Sequence, residues 1–414
     1  MSEDLKKMSS PKLNQGSELN DIVNKRNKWL FTSIEISEYL TNRNNSLLIP
    51  SGNIWYSSLA AYPSYSYSLL KLVYFLVKQL FSDKTSFQKK STHIVFSTGE
   101  GHDLKNYNKF LRDSNVEVIH MEAFNTSQKT SFNIVELKLA FSLFLENVQE
   151  ARSILKLKLP LELRKKIVNY TLPNLALYTY LCAFFSAIKE QIPNVKIFHS
   201  NALLLASAAT RAGIENVCMY HGLADKTSIA SYPFYDRIYV YSVEEKSYFE
   251  DISPNSNVCL YPVQELSNLE KRVIIFSRPC DSLMSEKTIL EILTFFLKKD
   301  YQIFLKKHPT YTGSLADKIA EQYNLEMIDQ EKVASEIILH LKPSFTVAWK
   351  STALCESLRQ GVVPISLSEG ITGGLGIYPL RKRSLSWKEE KERIFDLLED
   401  NSFYKKTLSE LRIR

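Results

Sequence analysis

The sequence predicts an α/β protein built as two Rossmann-like, doubly wound domains facing a cleft, and three observations predict it. From residue 90 onward, short β-branched or aromatic runs alternate with longer helical patterns, the mark of parallel βαβ units. The alternation pauses near residue 262 and restarts at 271. A chain of 414 residues, 44% hydrophobic and 23% charged, is also too long for one core and suits two globular domains.

In chain order, residues 1–27 are polar and lack the apolar run of a signal peptide, so they are expected to form a flexible arm ahead of a first domain at 28–262. The most apolar stretch, YSLLKLVYFLVKQLF at 67–81, is interrupted by Lys71 and Lys78. It is shorter than the roughly 20 residues a membrane span needs, which predicts a buried or interfacial helix. Strands are expected at 92–97, 116–121, 195–200, 216–222, 237–242 and 257–263, with helices at 134–155, 174–191, 201–212 and 243–250 between them. Polar residues 263–270 form the linker. The second domain, 271–384, repeats the pattern with strands at 272–277, 301–309, 325–329, 345–349 and 362–366 and helices at 284–298, 314–323, 331–341 and 351–360. Charged residues with apolar positions at helical spacing fill 385–414 and predict C-terminal surface helices.

The formal charge of +7 is spread over lysine-rich helices and a basic C-terminus, with no dense patch of interleaved aromatics, so nucleic acid is not an expected partner. The five cysteines are odd in number and show no CxxC spacing, which fits reduced thiols in a cytoplasmic protein. No metal site and no cofactor are expected.

Open parallel sheets bind ligands beyond the carboxyl ends of their strands. Four such ends carry chemistry. In FLKKHP, Lys306, Lys307 and His308 close a strand that Pro309 cannot continue. In VAWKST, a strand runs into Lys350, Ser351 and Thr352 as a helix opens; the hydroxyls fit either a helix cap or a phosphate site at a helix N-terminus. Ser277 and Arg278 end the first strand of the second domain and are further anion contacts. In the first domain, YHG delivers His221 to a strand end with Gly222 permitting a tight turn, making His221 a general-base candidate. The rival loop, STGEGHD, offers Glu100, His102 and Asp103 as acceptor-side candidates. It spells neither GxGxxG nor a Walker motif.

His308-Pro309 followed by Ser351-Thr352, in that order and in the second domain, resembles the bacterial GT-B sialyltransferases of the capsule and lipooligosaccharide type, which carry an HP motif and a Ser/Thr-pair motif. The resemblance covers the second domain well and the first mainly in architecture. It implies an inverting, metal-independent glycosyltransferase with an acceptor-binding first domain and a nucleotide-sugar-binding second domain. His308, Ser351 and Thr352 would hold the phosphate of CMP-sialic acid, which is a substrate and not a cofactor. The acceptor would be a hydroxyl of a bacterial surface glycan, and the expected partners are donor, acceptor and, peripherally, the inner membrane or capsule-assembly proteins. One motif departs from that family: an acidic pair before glycine is replaced by His221-Gly222, similar at that point to the teichoic-acid glycerophosphotransferases with their CDP-linked donors. Two other readings stand beside these: an epimerase-like use of the fold, and a non-catalytic capsule-assembly subunit.

Overall fold

The structure is a computed structural model that describes residues 54–80, 93–97, 116–120, 135–155, 164–165, 167–168, 172–199, 203–219, 235–252, 256–262, 265–349, 351–368 and 380–413. Of the predicted site residues, Glu100, His102, Asp103, His221, Gly222 and Lys350 lie outside them. The chain divides into two compact units, the second containing everything from Cys259 onward together with Val240–Tyr248. Within that second unit, Arg383 holds the Val240–Tyr248 segment through Glu244 at 3.1 Å.

The first unit contains α1 (Ile54–Leu80), β1 (His93–Ser97), β2 (Val116–His120), α2 (Leu137–Leu155), α3 (Leu175–Gln191), β3 (Lys196–His199), α4 (Leu203–Arg211), β4 (Glu215–Met219) and β5 (Arg237–Val240). α5 (Val243–Ile252) and β6 (Asn257–Leu260) follow at its boundary with the second unit. The six strands form one sheet in the order β2-β1-β3-β4-β5-β6. Pairings from β2 through β5 are parallel. Its helical layer centres on α3, buried on nearly every side through Tyr178, Leu181, Phe184, Phe185 and Ile188. The order reverses between β1 and β3, the kind of crossover point at which open α/β sheets take ligands.

The second unit contains β7 (Glu270–Phe276), α6 (Glu286–Leu297), β8 (Gln302–Lys306), α7 (Leu315–Gln322), β9 (Glu326–Ile328), α8 (Ala334–Leu341), β10 (Pro343–Ala348), α9 (Thr352–Arg359), β11 (Val363–Ser366), α10 (Leu380–Arg383), β12 (Leu385–Ser386), α11 (Lys391–Glu399) and α12 (Asn401–Ile413). All five strand pairings are parallel. The order β9-β8-β7-β10-β11-β12 is 3-2-1-4-5-6 in sequence terms, that of a dinucleotide-type Rossmann sheet. Alternation along the strands explains the double winding. Val273, Ile275, Ile303, Leu305, Phe345 and Val347 share one core with α6, α7, α11 and α12. Ile274, Phe276, Phe304 and Ala348 point the other way and pack with α8 and α9. With period two and both faces covered, the buried runs Val273–Phe276 of β7 and Ile303–Leu305 of β8 are apolar on both faces.

The fold is therefore α/β with two Rossmann-like domains. The expected strands and helices are all present, with ends shifted by a few residues. Two features differ: α1 begins at Ile54 and runs through Pro63, and residue 385 opens a two-residue edge strand, β12, before the C-terminal helices begin.

Candidate active site at the carboxyl edge of the second sheet

Lys306, Phe276, Ala348 and Ser366 lie level with one another across β8, β7, β10 and β11. Beyond this line the chain leaves the sheet four times, and the order of the strands fixes which loops become neighbours. The loops after β8 and β10 flank that after β7, two strand spacings apart, or about 10 Å. The crossover point of this sheet lies between β7 and β10, where Ser277-Arg278 and Ser351 emerge.

The loop after β8 is heavily braced. Ser277 N–H extends the β7–β8 pairing by donating to the Lys306 carbonyl at 2.9 Å, and His308 N–H donates to Ser277 Oγ at 2.9 Å. Ser277 Oγ in turn donates to the Arg278 carbonyl at 3.2 Å. Tyr311 N–H closes a turn onto the His308 carbonyl at 2.9 Å, and Gln330 Nε2 holds the Pro309 carbonyl at 2.5 Å. The strand thus ends at Lys306, three residues before Pro309, whose only backbone polar group is satisfied by the neighbouring β9–α8 loop.

His308 has a defined tautomer. Thr310 N–H donates to His308 Nδ1 at 3.2 Å, and Thr310 Oγ1 lies 2.9 Å from the same nitrogen. A backbone N–H can only donate, so Nδ1 must accept, and in the neutral ring the proton is on Nε2. An Nε2–H is a donor of the kind that bonds an anionic oxygen.

The two lysines expected to bind donor are engaged in the scaffold. Lys306 is buried, and its ammonium donates to the Lys307 carbonyl at 2.9 Å and the Gln330 carbonyl at 2.7 Å. Burial pulls its pKa down to about 8, partly opposed by Asp329 and Glu331. Lys307 pairs with Asp317 of α7 at 2.6 Å and lies 5.6 Å from the Tyr311 ring centre. Ser277, also expected to contact an anion, is a strut between β7 and His308. Arg278 is half-buried at the rim beside it.

A brace that sequence reasoning did not single out ties the β7 and β8 loops together. Thr312 N–H donates to the Pro279 carbonyl at 2.8 Å, and the Asp281 carboxylate accepts from the Tyr311 hydroxyl and from Ser314 and Leu315 N–H at 2.9 and 3.2 Å. Asp281 thereby caps α7 from another loop, and these bonds, Tyr311's first, hold its carboxyl below the usual range. Gly313 is required there, since a Cβ would meet an Asp281 oxygen at 2.3 Å.

Across β7, Ser351 is the N-cap of α9, extended at φ −148° and ψ 142°, and its Oγ accepts from Ala353 N–H at 3.2 Å. Thr352 is the first helical residue, half-buried at the end where the helix dipole is positive. α9 is locked to its strand by Thr346 Oγ1 donating to Ser357 Oγ at 2.7 Å, which donates to the Ala353 carbonyl at 2.6 Å. Gly361, at φ +83°, supplies the left-handed residue that ends the helix.

In the first unit, His199 closes β3 at the crossover point, fully buried, with burial pulling its pKa down to about 4. It is neutral at physiological pH and stands 5.2 Å from the Tyr235 ring. The sequence run VKIFHS shows it only as a strand end.

No protein-family model and no curated protein matches the chain. Solved structures similar to it include a UDP-GlcNAc 2-epimerase from Neisseria meningitidis bound to UDP-GlcNAc, at 11% identity over 77% of this chain and 94% of that one, with a TM-score of 0.44. A glycosyltransferase from Rickettsia africae is similar at 11% identity over 78% and 93%, with a TM-score of 0.42. The wall teichoic acid polymerase TagF is similar at 10% identity over 83% and 90%, with a TM-score of 0.42. At these values the fold rests on the strand orders described above, and nothing about donor or acceptor carries over.

Proposed function

We propose that the protein is an inverting, metal-independent glycosyltransferase that takes sialic acid from a CMP-linked donor to a hydroxyl of a bacterial surface glycan. The observation that carries this reading is the fixed Nε2–H tautomer of His308, at the carboxyl edge of a 3-2-1-4-5-6 sheet and two strands from the N-terminus of α9. A CMP-sugar breaks its anomeric C–O bond and releases a phosphate monoester, so charge develops on the bridging oxygen and phosphate. A ring N–H, the Thr352 hydroxyl and a helix N-terminus are donors suited to that charge. The acceptor oxygen forms the new bond from the opposite face, which inverts the anomeric carbon, and its proton passes to a base, His221 or the Glu100/Asp103 loop.

The His221-Gly222 pair favours a second reading, in which the donor is a CDP-linked polyol phosphate and the bond broken is the phosphoanhydride. Incubation with CMP-sialic acid or CDP-glycerol in excess EDTA, with product analysis on sialidase-treated or polyol-primed acceptors, separates the two. CMP release from CMP-sialic acid alone supports the first; turnover of CDP-glycerol alone replaces it with the second. If neither donor is consumed above background and UDP-GlcNAc is epimerised, both readings fail.

A further inference from the structure

The first unit carries an apolar face that glycosyl transfer does not explain. Along α1, Ala61, Tyr65, Ser68, Leu72 and Phe75 are buried at helical spacing against the interior. The opposite side is equally apolar. Leu70 is 71% exposed, Tyr74 48% and Val77 46%, and α2 adds Phe141 at 40% and Leu145 at 63%.

The two helices lie side by side in one layer. Arg152 of α2 stands 5.7 Å from the Tyr62 ring of α1. Both rest on α3, through Phe75 against Tyr180 at 5.7 Å and through Asn147 Nδ2 donating to Thr179 Oγ1 at 2.9 Å. A helix apolar on all sides belongs in a core or against lipid, and α1 has protein on one side only among the described residues.

Charge identifies the occupant. α1 has 27 residues, including Lys71 and Lys78 and not one Asp or Glu. α2 contributes Lys138 and Arg152, while its Glu146 and Glu150 are paired with Arg211 at 2.9 and 3.0 Å. Exposed Glu136, just before α2, is the remaining acid of this layer. Tyr62, Tyr67 and Tyr74 on the outer side are the amphipathic aromatics that favour the headgroup level. Among the described residues no helix is long and apolar enough to cross a membrane. A basic, aromatic, apolar face of this length suits a helix lying in the plane of the interface.

We propose that the outer face of α1 and α2 docks on an anionic lipid bilayer, its apolar side chains at the acyl boundary and Lys71 and Lys138 among the headgroups. This surface goes beyond the glycosyltransferase reading and does not depend on it. The test is co-sedimentation of the full chain with vesicles of pure POPC and of POPC containing about 30% POPG. The expected result is binding at least about tenfold tighter to the anionic vesicles and weakened by salt. Leu70→Glu/Val77→Glu should lose binding to both vesicles, and Lys71→Glu/Lys138→Glu should lose the anionic preference, with the thermal melt of each unchanged. If the apolar pair fails to fold, the lysine pair and the salt titration decide. Wild-type protein that stays in the supernatant, or binds both vesicles equally, overturns the proposal. So does a wild-type dimer by light scattering that Leu70→Glu/Val77→Glu dissociates while vesicle binding persists, which would make a second copy the occupant.

Discussion

The backbone N–H of His308 donates to the hydroxyl of Ser277 at 2.9 Å, so the histidine leaving β8 is positioned by the residue leaving β7. Ser277 has no further reach toward a ligand than its two internal bonds allow, and its effect on donor binding runs through His308. Ser277→Ala should weaken nucleotide binding by about fivefold, the equivalent of about 1 kcal/mol for one hydrogen bond. Ser277→Thr, which keeps the hydroxyl, should restore it. A Ser277→Ala protein with lower stability and unchanged nucleotide affinity would show that the strut supports the sheet alone.

Ser351 and Thr352 were expected to act as a pair, and the structure separates them. The Ser351 hydroxyl caps α9, so Ser351→Ala should lower stability by about 1 kcal/mol. Ser351→Asp keeps the cap and places a negative charge beside the phosphate, so its melt should stay near wild type while nucleotide affinity falls. Thr352→Ala should leave the melt within about 0.5 kcal/mol and weaken donor binding, since the first helical residue bears no capping bond. Equal nucleotide affinity in all three proteins would reduce both hydroxyls to helix chemistry.

Lys306 gives a pH signature. Its folded pKa, about 8, lies below the ordinary 10.5, so between these values the unfolded chain binds more protons than the folded one. The group's penalty on the folded state is complete below about pH 8 and is relieved as pH rises toward 10.5. Stability of the wild type relative to Lys306→Met should therefore increase across that window in denaturant titrations. A flat or falling difference would mean the ammonium is not desolvated as its two carbonyl contacts imply.

The strands and helices of both sheets were legible because β-branched runs and helical periodicity are local signals. Pro63 hid the first part of α1, since an interior proline usually ends a helix, yet here it lies on the exposed side and the helix continues. β12 escaped notice because two residues have no periodicity and gain strand geometry only by pairing with Ile365 and Ser366. His308, Ser351 and Thr352 could be found as residue types at strand ends. The restraints on them could not: Ser277 to His308 and Asp281 to Ser314 each span more than thirty residues of sequence, and only the sheet order makes them neighbours. The same long-range pairing converts Lys306 from an apparent anion contact into a buried tie.

For the general base, sheet order adds a consideration that strand ends alone did not give. His221 follows β4, whereas Glu100 and Asp103 follow β1, one of the two strands at the crossover point of the first sheet. Removing a general base lowers turnover by about 10² to 10⁴ with little effect on donor affinity. His221→Ala should show that pattern and lose the acid limb of the pH–rate profile. If His221→Ala turns over normally and Glu100→Gln or Asp103→Asn does not, the base belongs to the loop after β1.

The most direct test of the donor site is calorimetric titration of CMP into wild-type protein and His308→Ala. Loss of the Nε2–H bond to an anionic phosphate should weaken binding by about 1.5 to 3 kcal/mol, roughly ten- to a hundredfold, with the melt little changed because the β8 loop is held through its backbone. Equal affinity of the two proteins for CMP, or no binding of CMP by the wild type, would contradict a phosphate site at His308.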